Sequence, residues 1–203
     1  MFVLDMHQPG VTVRPLVDMT GRAPFNEVYL DDARVAPDAV IGELGQGWAA
    51  AVTMLGHERV TISGLRQRRS AGLSYAALAA LARRRGTDGD PVVRAALADL
   101  YVHERVLELF NERLQEEIAA GRPPGARGSV GKLAGALLLR RAVAVAGEVA
   151  GVDAVAWADS DDQLAWGITS APVGSIAGGT NEIQRTIIGE RVLGLPREPK
   201  MGG

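Results

Sequence analysis

Two periodicities divide the chain. Up to about residue 42 the apolar residues form short β-prone runs: Phe2-Val3-Leu4, Val11-Thr12-Val13 and Glu27-Val28-Tyr29-Leu30. Turn-forming stretches separate them, namely Gln8-Pro9-Gly10, Met19-Thr20-Gly21 and Asp31-Asp32. Such runs between turn formers predict antiparallel strands. Three short strands cannot bury two faces, so this region reads as part of a larger sheet.

After Gly42 the spacing becomes helical, and one long helix is expected from about Gly47 to Arg85. Asp88-Gly89-Asp90-Pro91 interrupts it, with Asp90 placed as N-cap and Pro91 at the first helical position. The next helix carries Val93, Leu97, Leu100, Leu107, Leu114 and Ile118 at three-, four- and seven-residue steps, a bundle-type stripe. Gly121-Arg122-Pro123-Pro124-Gly125 ends it. A third helix is expected from about Ser129 to Ala150, a weak one near Asp161 to Trp166, and a last one after Gly178-Gly179. Short loops between long helices imply antiparallel neighbours. The expected fold is therefore mainly α: an up-down helical bundle over residues 43–203, preceded by a partial antiparallel β-domain over residues 1–42.

Composition narrows the function classes. A net charge of -2 over 203 residues gives no basic footprint for nucleic acid or an anionic membrane. Aromatics are 4% of the chain, so the core must rest on Ala, Leu and Val. Without cysteine there is no disulfide or thiolate chemistry, and three scattered histidines, His7, His57 and His103, argue against a metal site. No apolar run is long enough for a signal or spanning segment, and the start lacks a basic region, so a cytoplasmic location is expected.

Two segments could carry chemistry. Between Gly47 and Leu65 the ionisable residues are consecutive, His57-Glu58-Arg59, amid Trp48, Val52, Met54, Leu55, Val60, Ile62 and Leu65. Helical spacing aligns Arg59 with Trp48, Val52, Leu55 and Ile62, and puts Glu58 beside Met54 and Ile62. Charges on an apolar flank must be paired or line a cavity, because burying them alone costs several kcal/mol. A structural ion pair, a glutamate at the solvent edge and a functional site all satisfy that rule. The second segment runs from Ser175 to Arg185, where Gly178 and Gly179 permit close backbone approach and Thr180 can cap the next helix. A plain capped helix and an anion-binding helix N-terminus both fit it.

Several segments, in order, resemble acyl-CoA dehydrogenases. Pro9-Gly10-Val11-Thr12-Val13-Arg14-Pro15-Leu16 is similar to a strand and turn of that family's middle domain. Phe25-Asn26-Glu27-Val28-Tyr29-Leu30-Asp31-Asp32-Ala33-Arg34-Val35 resembles its "FNEVFFDDVRVP" stretch, and Ile41-Gly42 through Gly45-Gln46-Gly47-Trp48 its entry to the C-terminal bundle. Ile176 to Arg185, followed by Glu190 to Pro196, is close to its terminal signature. The likeness spans nearly the whole chain and looks closest to actinobacterial members.

The resemblance implies FAD as cofactor, an acyl-CoA thioester as substrate and formation of a trans-2,3 double bond. A carboxylate base removes the α-proton, and the β-hydrogen leaves as hydride. In many members the base is a glutamate just before the terminal Gly-Thr, where this chain has Gly178. Others carry it on the first bundle helix before an arginine, a position matched by Glu58, so the resemblance implies Glu58 as base and Arg59 as its neighbour in the substrate pocket. Gly179, Thr180 and Glu182 match positions that contact FAD. It also implies a homo- or hetero-oligomer, dimer or tetramer, and an electron-transfer flavoprotein as acceptor.

The chain departs from the family pattern at two further places. The Gln-x-x-Gly-Gly element is represented by Gly147-Glu148-Val149-Ala150-Gly151, and Arg-x-x-Phe-Gly by Arg83-Arg84-Arg85-Gly86-Thr87. The chain also reads as starting partway through the family's middle domain, with apolar surface left for a missing half. Three functions follow: an enzyme completed by that half, a non-catalytic partner subunit, and a relative using the fold for oxygen chemistry or hydroxylation.

Overall fold

Antiparallel pairing organises the first unit, Met1–His57, and helix packing the second, Glu58–Gly203. The structure is a computed structural model that describes residues 1–55, 71–122, 124–154, 156 and 162–197. It is mainly α with a small antiparallel sheet, as the patterning predicts.

In the first unit, β1 (Val11–Leu16) pairs with β2 (Phe25–Leu30) in a register that sets Val11 opposite Leu30, Val13 opposite Val28 and Leu16 opposite Phe25. The connection is held by Asp18, whose carboxylate accepts hydrogen bonds from the Thr20 amide and hydroxyl. Gly10 is required at the entry to β1: its φ is +86°, and a Cβ there would lie 2.1 Å from the Asp31 carbonyl oxygen. The Arg14 guanidinium sits 5.0 Å from the Tyr29 ring centroid. Phe2-Val3-Leu4 does not join these strands. Phe2 makes an isolated bridge to Val40, and the Val3 amide donates to the Ala39 carbonyl at 2.9 Å. The chain start pairs with the segment after β2 because a turn at Asp5–Gln8, closed by the Asp5 carboxylate on the His7 amide, directs it away from β1. Val13, Phe25, Val28 and Leu30 remain exposed, since a two-stranded ribbon has no second layer to bury either face. Residues 47–55 are helical (α1).

The second unit begins, among the described residues, with a 3₁₀ turn at Ala71–Leu73, followed by α2 (Tyr75–Arg85). The single helix expected from Gly47 to Arg85 is therefore divided. Ser74 is extended (φ -73°, ψ 154°) and its hydroxyl caps α2 by accepting from the Ala77 amide. Leu73 before the cap and Leu78 in the first turn are both fully buried, in the positions of a hydrophobic staple. Gly72 keeps the turn tight, because a Cβ there would be 3.0 Å from the backbone of Gln163 and Leu164.

The remaining helices are α3 (Pro91–Ala119), α4 (Arg127–Ala150), α5 (Gln163–Ser170), the single turn α6 (Val173–Ile176) and α7 (Asn181–Arg191). Asp90 caps α3 with Pro91 at its first position, as expected. Asp162 caps α5 through the Leu164 and Ala165 amides. Helix α4 is central and packs against α2, α3 and α7. The core joins Leu73, Leu78 and Ala82 to Val93, Leu97, Leu100 and Leu107 of α3 and to Leu138, Ala142, Val145, Ala146 and Val149 of α4. The α3 stripe read from the sequence is this buried face as far as Leu114, with Ile118 only half buried at its end. No described helix is long and apolar enough to cross a membrane.

Leu100 is fully enclosed, whereas Leu44 is 84% exposed. Leu100→Ala should lower the unfolding free energy by about 2–5 kcal/mol, and Leu44→Ala by less than about 0.5 kcal/mol. Denaturant titration followed by far-ultraviolet circular dichroism measures both.

Candidate functional site

The sequence from Gly178 to Gln184 folds as two left-handed glycines leading into a capped helix. Gly178 has φ +72° and Gly179 φ +93°, values that favour glycine. Thr180 then takes an extended conformation (φ -61°, ψ 162°), and its hydroxyl accepts from the Ile183 amide at 3.4 Å. The expected cap is thus in place. Glu182, in the first turn of α7, is exposed, and its carboxyl is held below the ordinary carboxylate range. Its own backbone amide is the main cause, followed by the Thr180 hydroxyl, with Arg185 and Lys132 adding favourable charge. The carboxylate complements the positive end of α7.

Three residues that sequence reading passed over support this turn from beneath. Lys132 of α4 is 5% exposed, and its Nζ donates to Asn181 Oδ1 at 3.3 Å. Asn181, the first residue of α7, is itself buried. Gln184 is completely enclosed; its Nε2 donates to the Gly178 carbonyl at 2.8 Å and to the Gly179 carbonyl at 3.3 Å. A Cβ on Gly179 would lie 2.6 Å from that Nε2, so the glycine makes room for the glutamine. Lys132 could have been found from the sequence, because it is the lone ionisable residue between Arg127 and Arg140. Nothing in the spacing distinguishes Gln184 from an ordinary surface glutamine.

Of the residues singled out from the sequence, Gly179, Thr180 and Glu182 are together at the start of α7. Glu58 and Arg59 lie outside the described residues. The apolar flank leading to them is described up to Leu55, and much of it faces solvent: Trp48 is 78% exposed, with Val52 and Met54 about half exposed. At the far end of α2, Arg85 ties two helix ends together by donating to the Ala150 carbonyl at 3.2 Å and pairing with Asp153. Arg84, Arg85, Asp153 and Gln163 line an open depression of about 440 Å³ there.

The lowered Glu182 titration fixes the sign of a pH effect. A carboxyl whose folded pKa is depressed contributes stability above its unfolded value, and that contribution is lost as pH falls through the folded value. Thr180→Val removes the hydroxyl and should move the Glu182 titration upward toward the ordinary range. Carboxyl-carbon NMR titration of the two proteins measures the shift.

Comparison with known proteins agrees with this fold. Residues 45–193 match the family described as Acyl-CoA dehydrogenase, C-terminal domain. Acyl-CoA dehydrogenase IpdE1 of Mycobacterium tuberculosis is 37% identical over 199 residues, covering 98% of this chain and 51% of its own. Acyl-CoA dehydrogenase FadE34 of the same organism is 31% identical over 196 residues, covering 97% of this chain and 26% of its own. Among solved structures, the ChsE4-ChsE5 complex from Mycobacterium tuberculosis gives a TM-score of 0.74 at 26% identity, over 97% of this chain and 53% of that one. The Tcur3481-Tcur3483 steroid ACAD gives 0.80 at 23% identity, over 97% and 52%, a likeness of fold. The chain spans about half the length of IpdE1 and less of FadE34. With the family match over most of its length and relatives above 30% identity across nearly all of it, this chain belongs to the acyl-CoA dehydrogenase family.

Proposed function

We propose that the chain works within an FAD-dependent enzyme that introduces an α,β double bond into an acyl-CoA thioester, with Glu58 as the base. The observation that carries this reading is the 37% identity to an acyl-CoA dehydrogenase over 98% of the chain. The turn at α7 is compatible with a cofactor rich in hydroxyl and phosphate oxygens. Thr180 places a hydroxyl at a helix N-terminus, and the exposed Glu182 beside it can accept hydrogen bonds from hydroxyl groups. Gly179, Thr180 and Glu182 are the residues proposed to hold FAD. When bound, FAD supplies the acceptor for the hydride that leaves the β-carbon.

The chain's own part is acid–base chemistry and positioning. Glu58 takes the α-proton as a carboxylate, and Arg59, adjacent in sequence, is its electrostatic neighbour in the substrate pocket. A thioester α-proton is only weakly acidic, so the base must be poorly hydrated, which brings its pKa toward that of the activated substrate. The acyl chain is of fatty-acid, branched or steroid side-chain type. The proposal includes assembly as a homo- or hetero-oligomer, an electron-transfer flavoprotein as acceptor and a cytoplasmic location.

A second reading, a non-catalytic subunit of a heteromeric dehydrogenase, is supported by the likeness to a ChsE4-ChsE5 complex. The Gly147–Gly151 stretch, which lacks the family's Gln-x-x-Gly-Gly, points the same way.

Glu58→Gln separates the two. In the assembled, flavin-loaded protein it should slow flavin reduction by acyl-CoA at least about 100-fold while leaving FAD content unchanged. Stopped-flow absorbance measures the rate. Reduction at the wild-type rate would remove Glu58 as base and favour the second reading.

A further inference from the structure

Hydropathy would bury Ile183 and expose Gln184, and the structure does the opposite. Ile183 is 52% exposed, while Gln184 is fully enclosed. A buried carboxamide needs partners, and this one spends both hydrogens of its nitrogen on two successive carbonyls, those of Gly178 and Gly179, while its Oε1, equally buried, accepts no hydrogen bond from the described residues. The contact ties the fourth residue of α7 back to the turn that precedes the helix. It also excludes a side chain at position 179, where a Cβ would approach Nε2 to 2.6 Å. Thr180 follows that turn directly, so the orientation of its peptide and hydroxyl is set by where Gln184 holds the two carbonyls.

We propose that Gln184 is a positioning residue: it fixes the Gly178-Gly179 turn so that Thr180 and the first turn of α7 are presented ready-made to the phosphate- and hydroxyl-bearing cofactor. The proposal rests on the FAD reading above. Without Gln184 the turn, built on two glycines, samples many conformations, and cofactor binding must then order it. The loss should fall on affinity and on local order, not on the helix core.

The test compares the assembled protein carrying the wild-type chain, Gln184→Met or the core variant Leu100→Ala. Each is examined by amide hydrogen exchange of residues 178–183 and by FAD affinity from flavin fluorescence. Gln184→Met should speed exchange in that segment and weaken FAD binding at least about tenfold, as expected when two hydrogen bonds that order a site are lost. Leu100→Ala should lower the thermal midpoint yet leave FAD affinity within about twofold. If Gln184→Met fails to fold, Gln184→Ala, which removes both hydrogen bonds without burying a charge, takes its place with the same expectations. Unchanged exchange in either variant overturns the clamp. Faster exchange with wild-type FAD affinity overturns the positioning role. A wild-type assembled protein with protected residues 178–183 that takes up no FAD overturns the cofactor reading instead, and the protection identifies which of the two has failed.

Discussion

Helix α4 can touch α2, α3 and α7 at once because much of its contact surface is glycine and alanine. Gly131, Ala136, Ala142, Ala146 and Ala150 let neighbouring helices approach closely, and the larger Leu138, Val145 and Val149 fill the space between them. Close approach has a consequence at the N-terminal end of α4. Lys132 is drawn out of water there, and an ammonium so placed needs polar partners. Asn181 is one of them, so the first turn of α7 is tied to the central helix by the same packing that builds the core.

The α7 turn is thereby held from two sides. Lys132 fixes Asn181 from α4, and Gln184 fixes Gly178 and Gly179 from within α7. Thr180 and Glu182 stand above these buried contacts, the hydroxyl capping the helix and the carboxylate complementing its positive end. Buried polar contacts of this kind contribute little net stability, but they specify one geometry. A cofactor site benefits most from that, because order set up by folding need not be supplied by binding.

Much of this was legible in the sequence, and the exceptions have identifiable causes. The α3 stripe, the Asp90-Pro91 start and the Thr180 cap follow from spacing and local chemistry, and each is present. The division at Ser74 was missed because Ala-rich helical spacing continues on its C-terminal side, and the break depends on a serine cap and on Gly72 meeting the backbone of Gln163. Phe2-Val3-Leu4 has strand composition, but its partner is chosen by the turn at Asp5–Gln8. Gln184 was invisible because its burial is decided by two carbonyls of a turn, which hydropathy does not encode. The terminal signature reached Thr180 and Glu182 through family resemblance; spacing alone favoured a plain capped helix over an anion site. Glu58 and Arg59, which stood out as lone charges on an apolar flank, lie outside the described residues.

The central claim is that this chain takes part in removing two hydrogens from an acyl-CoA thioester. Anaerobic mixing of the assembled protein with a saturated acyl-CoA, followed by flavin absorbance and mass analysis of the thioester, tests it most directly. The account predicts bleaching of the visible flavin band together with an equal amount of the trans-2-enoyl product. Flavin that stays oxidised beside unaltered thioester, across straight-chain, branched and steroid side-chain substrates, would contradict it.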